Sequence, residues 1–291
     1  MKLNLKDWPL IVFTVLVQTA VGSFIFLFGL LVINRRHLGQ FGSTWLFSWL
    51  FRPALDLLLL MGLSLLISLF HLGRPSSAYL AVVNLKTSWL SREILAACLF
   101  FAGLLVLTVS IFFGLPLTIL LLISCLDMLV GLALIFIMSK IYRLPAVPAW
   151  NSCRTTLSFY LTALLTGAGF LALVGPPLFE AWPEGRLQLT VILQITLLIS
   201  LIYIILLDQV TGLFSLKNEI EPEKFSELKK ISTIRVLLLI LALLASFYVF
   251  WPAGSVWLQG YFWPVLILIL IIIEELIGRT VFFNLYSRLG V

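Results

Sequence analysis

An all-α integral membrane bundle of eight transmembrane helices is the fold class this sequence predicts, and three observations predict it. Hydrophobic residues make up 62% of the 291 and charged residues 11%. Mean hydropathy is +1.14, more apolar than the surface of a water-soluble protein of 32.7 kDa allows. The apolar residues also come in tracts long enough to cross a hydrocarbon layer of roughly 30 Å at about 1.5 Å per residue.

The first tract, 9–33, is too long for the apolar core of a signal peptide. It also lacks a small-residue cleavage pattern before Arg35-Arg36, so it reads as a retained helix. Residues 34–53 hold Gly39, Gly42 and several aromatics and read as a surface or interfacial segment. The second span, 54–70, is the shortest. Spans three and four, 93–113 and 117–138, are separated by Leu115-Pro116. A basic connection interrupted by Pro145 and Pro148 precedes the fifth span, 155–174. After the sixth, 187–207, comes the most polar stretch, with Lys217-Asn218-Glu219-Ile220-Glu221-Pro222-Glu223-Lys224 at its centre. Spans seven and eight, 232–250 and 261–278, are joined through Trp251-Pro252-Ala253-Gly254. No connection is long enough to fold alone, so 1–291 reads as one membrane domain.

Basic residues set the orientation. Lys2, Lys6, Arg74, Lys86, Arg92, Lys140, Arg143, Arg154, Lys217, Lys224, Lys229, Lys230, Arg235, Arg279 and Arg288 fall on one side. Arg35, Arg36, Arg52 and Arg186 fall on the other. Fifteen against four puts both termini in the cytoplasm. The same bias explains the net charge of +6, and with no soluble domain present, nucleic acid is not an expected partner. The nine tryptophans lie near span ends or in connections, where indole suits the headgroup boundary. Trp89 is set apart as a binding residue because it neighbours the polar groups described next.

Polar groups at membrane depth are costly unless paired or hydrated. His71 is one of two histidines and ends a hydrophobic segment in His71-Leu72-Gly73-Arg74-Pro75. Glu93 enters the next segment through Ser88-Trp89-Leu90-Ser91-Arg92-Glu93 on the same side. Its plain reading is a carboxylate favoured by a helix N-terminus. Its functional reading is a proton acceptor from a quinol hydroxyl, with the imidazole as relay, since quinol oxidation releases two protons with two electrons. Gln18 bonds either a neighbouring helix or a quinone carbonyl, and Gly22 leaves room for a backbone or a flat ring. Arg74 contacts lipid phosphate, positions His71 or meets an acidic partner. Arg92 points away from Glu93, whereas Glu275 and Arg279 are four apart and expected to pair. Arg52 and Asp56 have the same spacing. Asp127, near the midplane, is either a neutral hydrogen-bonded acid or part of a proton path.

The scattered Cys98, Cys125 and Cys153 speak against an iron–sulfur cluster in this protein. His37 and His71 fall on opposite sides, which speaks against a haem between them.

These stretches resemble the membrane-anchor subunit family of anaerobic dimethyl sulfoxide reductase. The resemblance rests on Trp8-Pro9-Leu10-Ile11-Val12-Phe13-Thr14 with Gln18 and Gly22, and on the block from His71 to Glu93 with Ala78 and Asn84. It ends at Glu275-Leu276-Ile277-Gly278-Arg279 with Phe282. It implies a haem-free, multi-pass subunit of the bacterial inner membrane that oxidises menaquinol. The electrons would pass to a four-cluster iron–sulfur subunit and on to a molybdenum-cofactor catalytic subunit. His71 and Glu93 look like the family's quinol-site pair; Gln18, Arg74 and Trp89 join them by placement. A polysulfide-reductase-type anchor uses the same quinone chemistry with another terminal acceptor. A secondary transporter is the reading from a different class, but it would show broken helices and repeat symmetry.

The charge bias makes a topological prediction. In a Ser77→Cys variant in intact cells, an impermeant thiol reagent added outside should leave position 77 unlabelled. Selective labelling from outside would reverse the orientation.

Overall fold

With so few polar side chains, the backbone must satisfy its own hydrogen bonds, and helices do this within one segment. The computed structural model describes residues 8–38, 43–71, 84–145, 150–175, 183–206, 222–248 and 257–286. Among these, eight long helices form one bundle. They are α1 (Trp8–Ile33), α3 (Ser43–Ser68), α4 (Trp89–Phe112), α5 (Leu117–Tyr142), α6 (Cys153–Val174), α7 (Pro183–Tyr203), α8 (Pro222–Tyr248) and α9 (Trp257–Tyr286). The short α2 (Arg35–Leu38) follows α1, and a 3₁₀ turn (Leu69–His71) follows α3.

Seven helices are long and apolar enough to cross a membrane, which makes this a multi-pass membrane protein. Each of the eight expected spans falls on a long helix; among the described residues α9 is not one of these seven, its described part including Glu274, Glu275 and Arg279. Two starts differ from the sequence expectation. α3 begins at Ser43, with Pro53 inside it, so the expected interfacial segment is largely helix. Proline deletes one backbone bond without ending a helix that is otherwise packed. α8 begins at Pro222, within the expected polar connection, where proline suits a first helical turn.

Contacts fix the register. Gln18 and Thr162 share Arg279 Nη2, while Ser23, five residues beyond Gln18, bonds the carbonyl of Gly167, five beyond Thr162, so α1 and α6 run in the same direction. Tyr160 Oη donates to the Leu132 carbonyl and Ser139 Oγ meets Thr156 Oγ1, which sets α5 antiparallel to α6. Gly103 faces Asp127 and Phe100 faces Gly131, which sets α4 antiparallel to α5. α9 returns antiparallel to α6, with Gly169 against Ile271 and Phe159 near Phe282. The turn from α4 to α5 is closed by Gly114 at φ 66°, while the Leu115 N–H donates to the Ser110 carbonyl at 3.1 Å. A left-handed residue at a helix end favours glycine.

α1 is the central helix. Of its apolar window 67% is buried, against 50% or less for the other spans, and it packs on α3, α5, α6 and α9. Its sequence has no polar stripe, as expected of a helix surrounded by protein. Its Thr14, Thr19 and Ser23 hydroxyls donate to carbonyls three or four residues back, so they enter the core satisfied.

The crossing of α1 and α6 has no slack. A Cβ at Gly22 would overlap the Ala163 carbonyl oxygen, and one at Gly167 would overlap the backbone of Gly22 and Ser23. Ser23 Oγ also donates to the Gly167 carbonyl at 3.0 Å. The room left by Gly22 is thus filled by a backbone, not by a ligand ring. Gly167→Val should therefore cost about 1–3 kcal/mol or more by overpacking and lower the Tm of the purified protein. Gly29→Ala is the control, because nothing lies within 4 Å of a Cβ there. Equal Tm values for the two variants would show that the crossing relaxes freely.

Candidate functional site

Ser88 starts α4 as its N-cap, its Oγ accepting from the Ser91 N–H at 3.2 Å. Arg92 folds back over the preceding turn, with Nε donating to Leu85 O at 2.7 Å and Nη2 to Lys86 O at 2.6 Å. Its guanidinium lies 4.3 Å from the centre of the half-exposed Trp89 ring. Arg92 is thereby committed away from Glu93, as the sequence suggested. Glu93 points inward, 6% exposed, and makes no hydrogen bond or ion pair among the described residues. A buried carboxyl without a countercharge holds a proton more tightly than an exposed one, a property that suits a group that takes up and passes on protons.

His71 ends the 3₁₀ turn that closes α3. Its side chain and the whole of Arg74 lie outside the described residues.

Gln18 is fully buried on α1, and its Oε1 accepts from Arg279 Nη2 at 2.9 Å. The same Nη2 lies 3.2 Å from Thr162 Oγ1. Thr162 Oγ1 is in turn 2.9 Å from Glu275 Oε2 and 2.9 Å from the Ser158 carbonyl. The expected Glu275–Arg279 pair is therefore not direct: Thr162 on α6 stands between them. The Arg279 guanidinium also stacks 3.8 Å from the centre of the Phe159 ring. Glu274, on another side of α9, pairs with Arg235 of α8 at 2.8 Å. Gly278 makes room for that guanidinium, since a Cβ there would come within 2.6 Å of Arg235 Nη2.

Gln18 and Glu93 share one level of the bundle. The Phe24 and Phe100 rings meet edge-on with centroids 5.6 Å apart, and α1 and α4 run in the same direction. Gln18 precedes Phe24 by six residues and Glu93 precedes Phe100 by seven. At about 1.5 Å per residue both lie roughly 10 Å from that contact toward the same end. At this level Gln18, Thr162, Glu275 and Arg279 form a bonded group from three helices, with Glu93 on a fourth and without a partner among the described residues.

Elsewhere the expectations fare differently. Asp127 is buried against Gly103, but neither carboxyl oxygen has a hydrogen-bond partner among the described residues. Trp150 is no boundary anchor: it is 5% exposed, stacks on Phe282 at 4.8 Å and donates Nε1–H to the Phe282 carbonyl. Arg52 and Asp56 form no direct ion pair among the described residues. They line a cleft of about 410 Å³ with apolar residues of α3 and α6, toward the end of the bundle opposite Glu93. No group of three or more His, Cys, Asp or Glu is placed to hold a metal among the described residues. The sequence reading missed Thr162 and Arg235 as partners of the α9 acids. Neither residue carries a local signal, since the contacts span 113 and 39 positions.

The family model described as "DMSO reductase anchor subunit (DmsC)" matches residues 1–285. The protein belongs to this family. Similar proteins include the C subunit of anaerobic dimethyl sulfoxide reductase from Haemophilus influenzae, 30% identical over 57% of this protein and 58% of that one. The anaerobic dimethyl sulfoxide reductase subunit YnfH of Escherichia coli K12 is 33% identical over 55% of each sequence. The C subunit from the same organism is 28% identical over 98% of this protein and 96% of its own length. The match thus spans a little over half the length of the first two relatives and nearly all of the third. No solved structure matches.

The pairing of α8 with α9 makes a stability prediction. Arg235→Met strands Glu274 without its countercharge and should cost about 3–5 kcal/mol. Adding Glu274→Gln should recover much of the loss in thermal unfolding. A double variant no more stable than the single would show that the pair contributes little.

Proposed function

We propose that this protein is the menaquinol-oxidising membrane anchor of a dimethyl sulfoxide reductase-type molybdoenzyme complex in a bacterial inner membrane. All eight long helices cross, with α9 tolerated because its charges meet partners inside the bundle. Both termini and the 71–93 connection face the cytoplasm. Family membership supports the complex, and the observation that carries the chemistry is Glu93, buried near the start of α4 and without a partner among the described residues.

Menaquinol gives up two electrons and two protons and leaves as menaquinone. Glu93 accepts the first hydroxyl proton and passes it to His71, at the other end of the same connection, which relays it to water and leaves Glu93 free to take the second. Gln18 and Trp89 contact the head group, and Arg74 orients His71. The electrons leave to an iron–sulfur subunit docked on the basic surface that includes Arg74 and Lys86, which charge complementarity would orient. From there they reach the molybdenum subunit. Continuous α1, α4, α5 and α6 favour this anchor over a transporter built on broken helices.

Glu93→Gln keeps size and hydrogen bonding but removes the base. In membranes matched for complex content, it should slow menaquinol oxidation roughly 100-fold while sparing turnover with an artificial donor. Replacing His71 should give the same split, and Asp127→Asn should spare both activities. Wild-type quinol turnover in Glu93→Gln would remove Glu93 from the mechanism.

A further inference from the structure

The bond between Arg279 and Gln18 fixes more than a helix contact. A guanidinium has only donors, so the Gln18 atom facing Arg279 Nη2 must be the carbonyl oxygen. The amide orientation is thereby set by chemistry, and Nε2 must face away from Arg279. That Nε2 is buried, on a side chain with no exposed surface, and has no hydrogen-bond partner among the described residues. It carries two N–H donors at the level of Glu93. The partners that anchor the other end are themselves held: Arg279 rests on Thr162 Oγ1 at 3.2 Å and on the Phe159 ring at 3.8 Å.

We propose that Arg279 is a positioning residue for quinol oxidation, holding the Gln18 amide so that Nε2 donates to a ring oxygen of bound menaquinol. This rests on the reading of the protein as a quinol-oxidising anchor. As the hydroxyl loses its proton, its oxygen gains negative charge and then carbonyl character. An N–H donor already aimed at that oxygen binds the changing state more strongly than the starting quinol. Without Arg279 the amide is free to turn over and present its oxygen, which would repel the charge instead. Glu275 balances the Arg279 charge through Thr162, so a fixed cation adds no net charge to the group.

The test uses the assembled complex in membranes, with a menaquinol analogue as substrate and an artificial donor as the measure of intact complex. Gln18→Glu is the principal variant. It keeps the size and the contact to Arg279 but has no N–H donor, and should lower quinol kcat/KM by roughly 100-fold with donor turnover unchanged. Arg279→Lys retains a cation that can donate to Gln18 Oε1 and should keep most of the activity. Arg279→Met combined with Glu275→Gln removes the hold without stranding a charge, and should lose as much as Gln18→Glu. Adding Gln18→Glu to that variant should cost little more, because the two residues act as one unit. Independent, additive losses would overturn the positioning role even if each residue matters. If Arg279→Met does not assemble, Gln18→Glu and Arg279→Lys still decide the matter by their opposite outcomes. Wild-type quinol kinetics in Gln18→Glu beside an impaired Glu93→Gln would sink this inference alone. Wild-type kinetics in both would sink the quinol-site reading beneath it.

Discussion

The close crossing of α1 and α6 at Gly22 and Gly167 sets the level at which the buried polar group of α1, α6 and α9 forms. Two backbones meet there with no side chain between them, and Ser23 ties them with a hydrogen bond to the Gly167 carbonyl. In a membrane, where lipid competes equally well for apolar surface, such close packing is a main source of helix association. The crossing lies one turn beyond Gln18 on α1 and just beyond Thr162 on α6. It therefore brings these two side chains to one level, where α9 supplies Glu275 and Arg279. Had either glycine been larger, α1 would stand off and the group would not close.

That group also shows how a membrane bundle carries charge at a tolerable cost. Glu274 and Glu275 are adjacent in sequence yet project differently, and each finds its own helix: Arg235 of α8 for one, Thr162 of α6 for the other. Arg279 spreads its charge over an amide oxygen, a hydroxyl and an aromatic face. Aromatic rings seal the end nearest the turns, with Tyr142, Trp150, Phe159 and Phe282 in mutual contact. Desolvated charges gain from such surroundings when their partners are fixed, which the helices provide for Arg279 Nη2, while its Nε has no hydrogen-bond partner among the described residues.

The legible part of this protein was what depends on local pattern. Apolar tracts located all eight long helices, and the spacing of Arg92 and Glu93 correctly separated their directions. Proline misled the reading twice. Pro53 looked like a boundary but sits inside α3, and Pro222 looked like part of a loop but begins α8. Neighbouring residues of α3 outweigh the N–H missing at Pro53, whereas Pro222, first in its helix, gives up no helical bond. The partners of Gln18, Glu274 and Glu275 were hidden for another reason. Contacts 39 to 261 residues apart depend on how helices pack, and periodicity within one helix carries no information about its neighbour. The i to i+4 spacing did bring Glu275 and Arg279 together, but through a hydroxyl that a third helix places between them. The expectation for Trp150 failed: its position suggested a boundary, but Phe282 offered a stacking face.

Unpartnered polar atoms separate scaffold from site here only when their surroundings are considered. Asp127 has two unbonded oxygens and is as buried as Glu93, so a count of orphan groups would rank it with the site. Its carboxyl, however, fills the notch left by Gly103, where even a methyl group would overlap it. Packed into that glycine notch, Asp127 forms a close contact between α4 and α5. Glu93 and the Gln18 amide differ in kind. Glu93 sits one turn from a helix start, beside a turn held by Arg92, and Gln18 is oriented by Arg279 so that its donors face away from the only described group bonding its side chain. On the proposed reading, Glu93 takes the proton and the Gln18 amide donates to the oxygen, both at one level of the bundle. A quinol ring needs both: a base for the proton it gives up and a donor for the oxygen left behind. Orphan groups of complementary chemistry at a common depth are therefore the stronger sign of a site than burial or lack of partners alone.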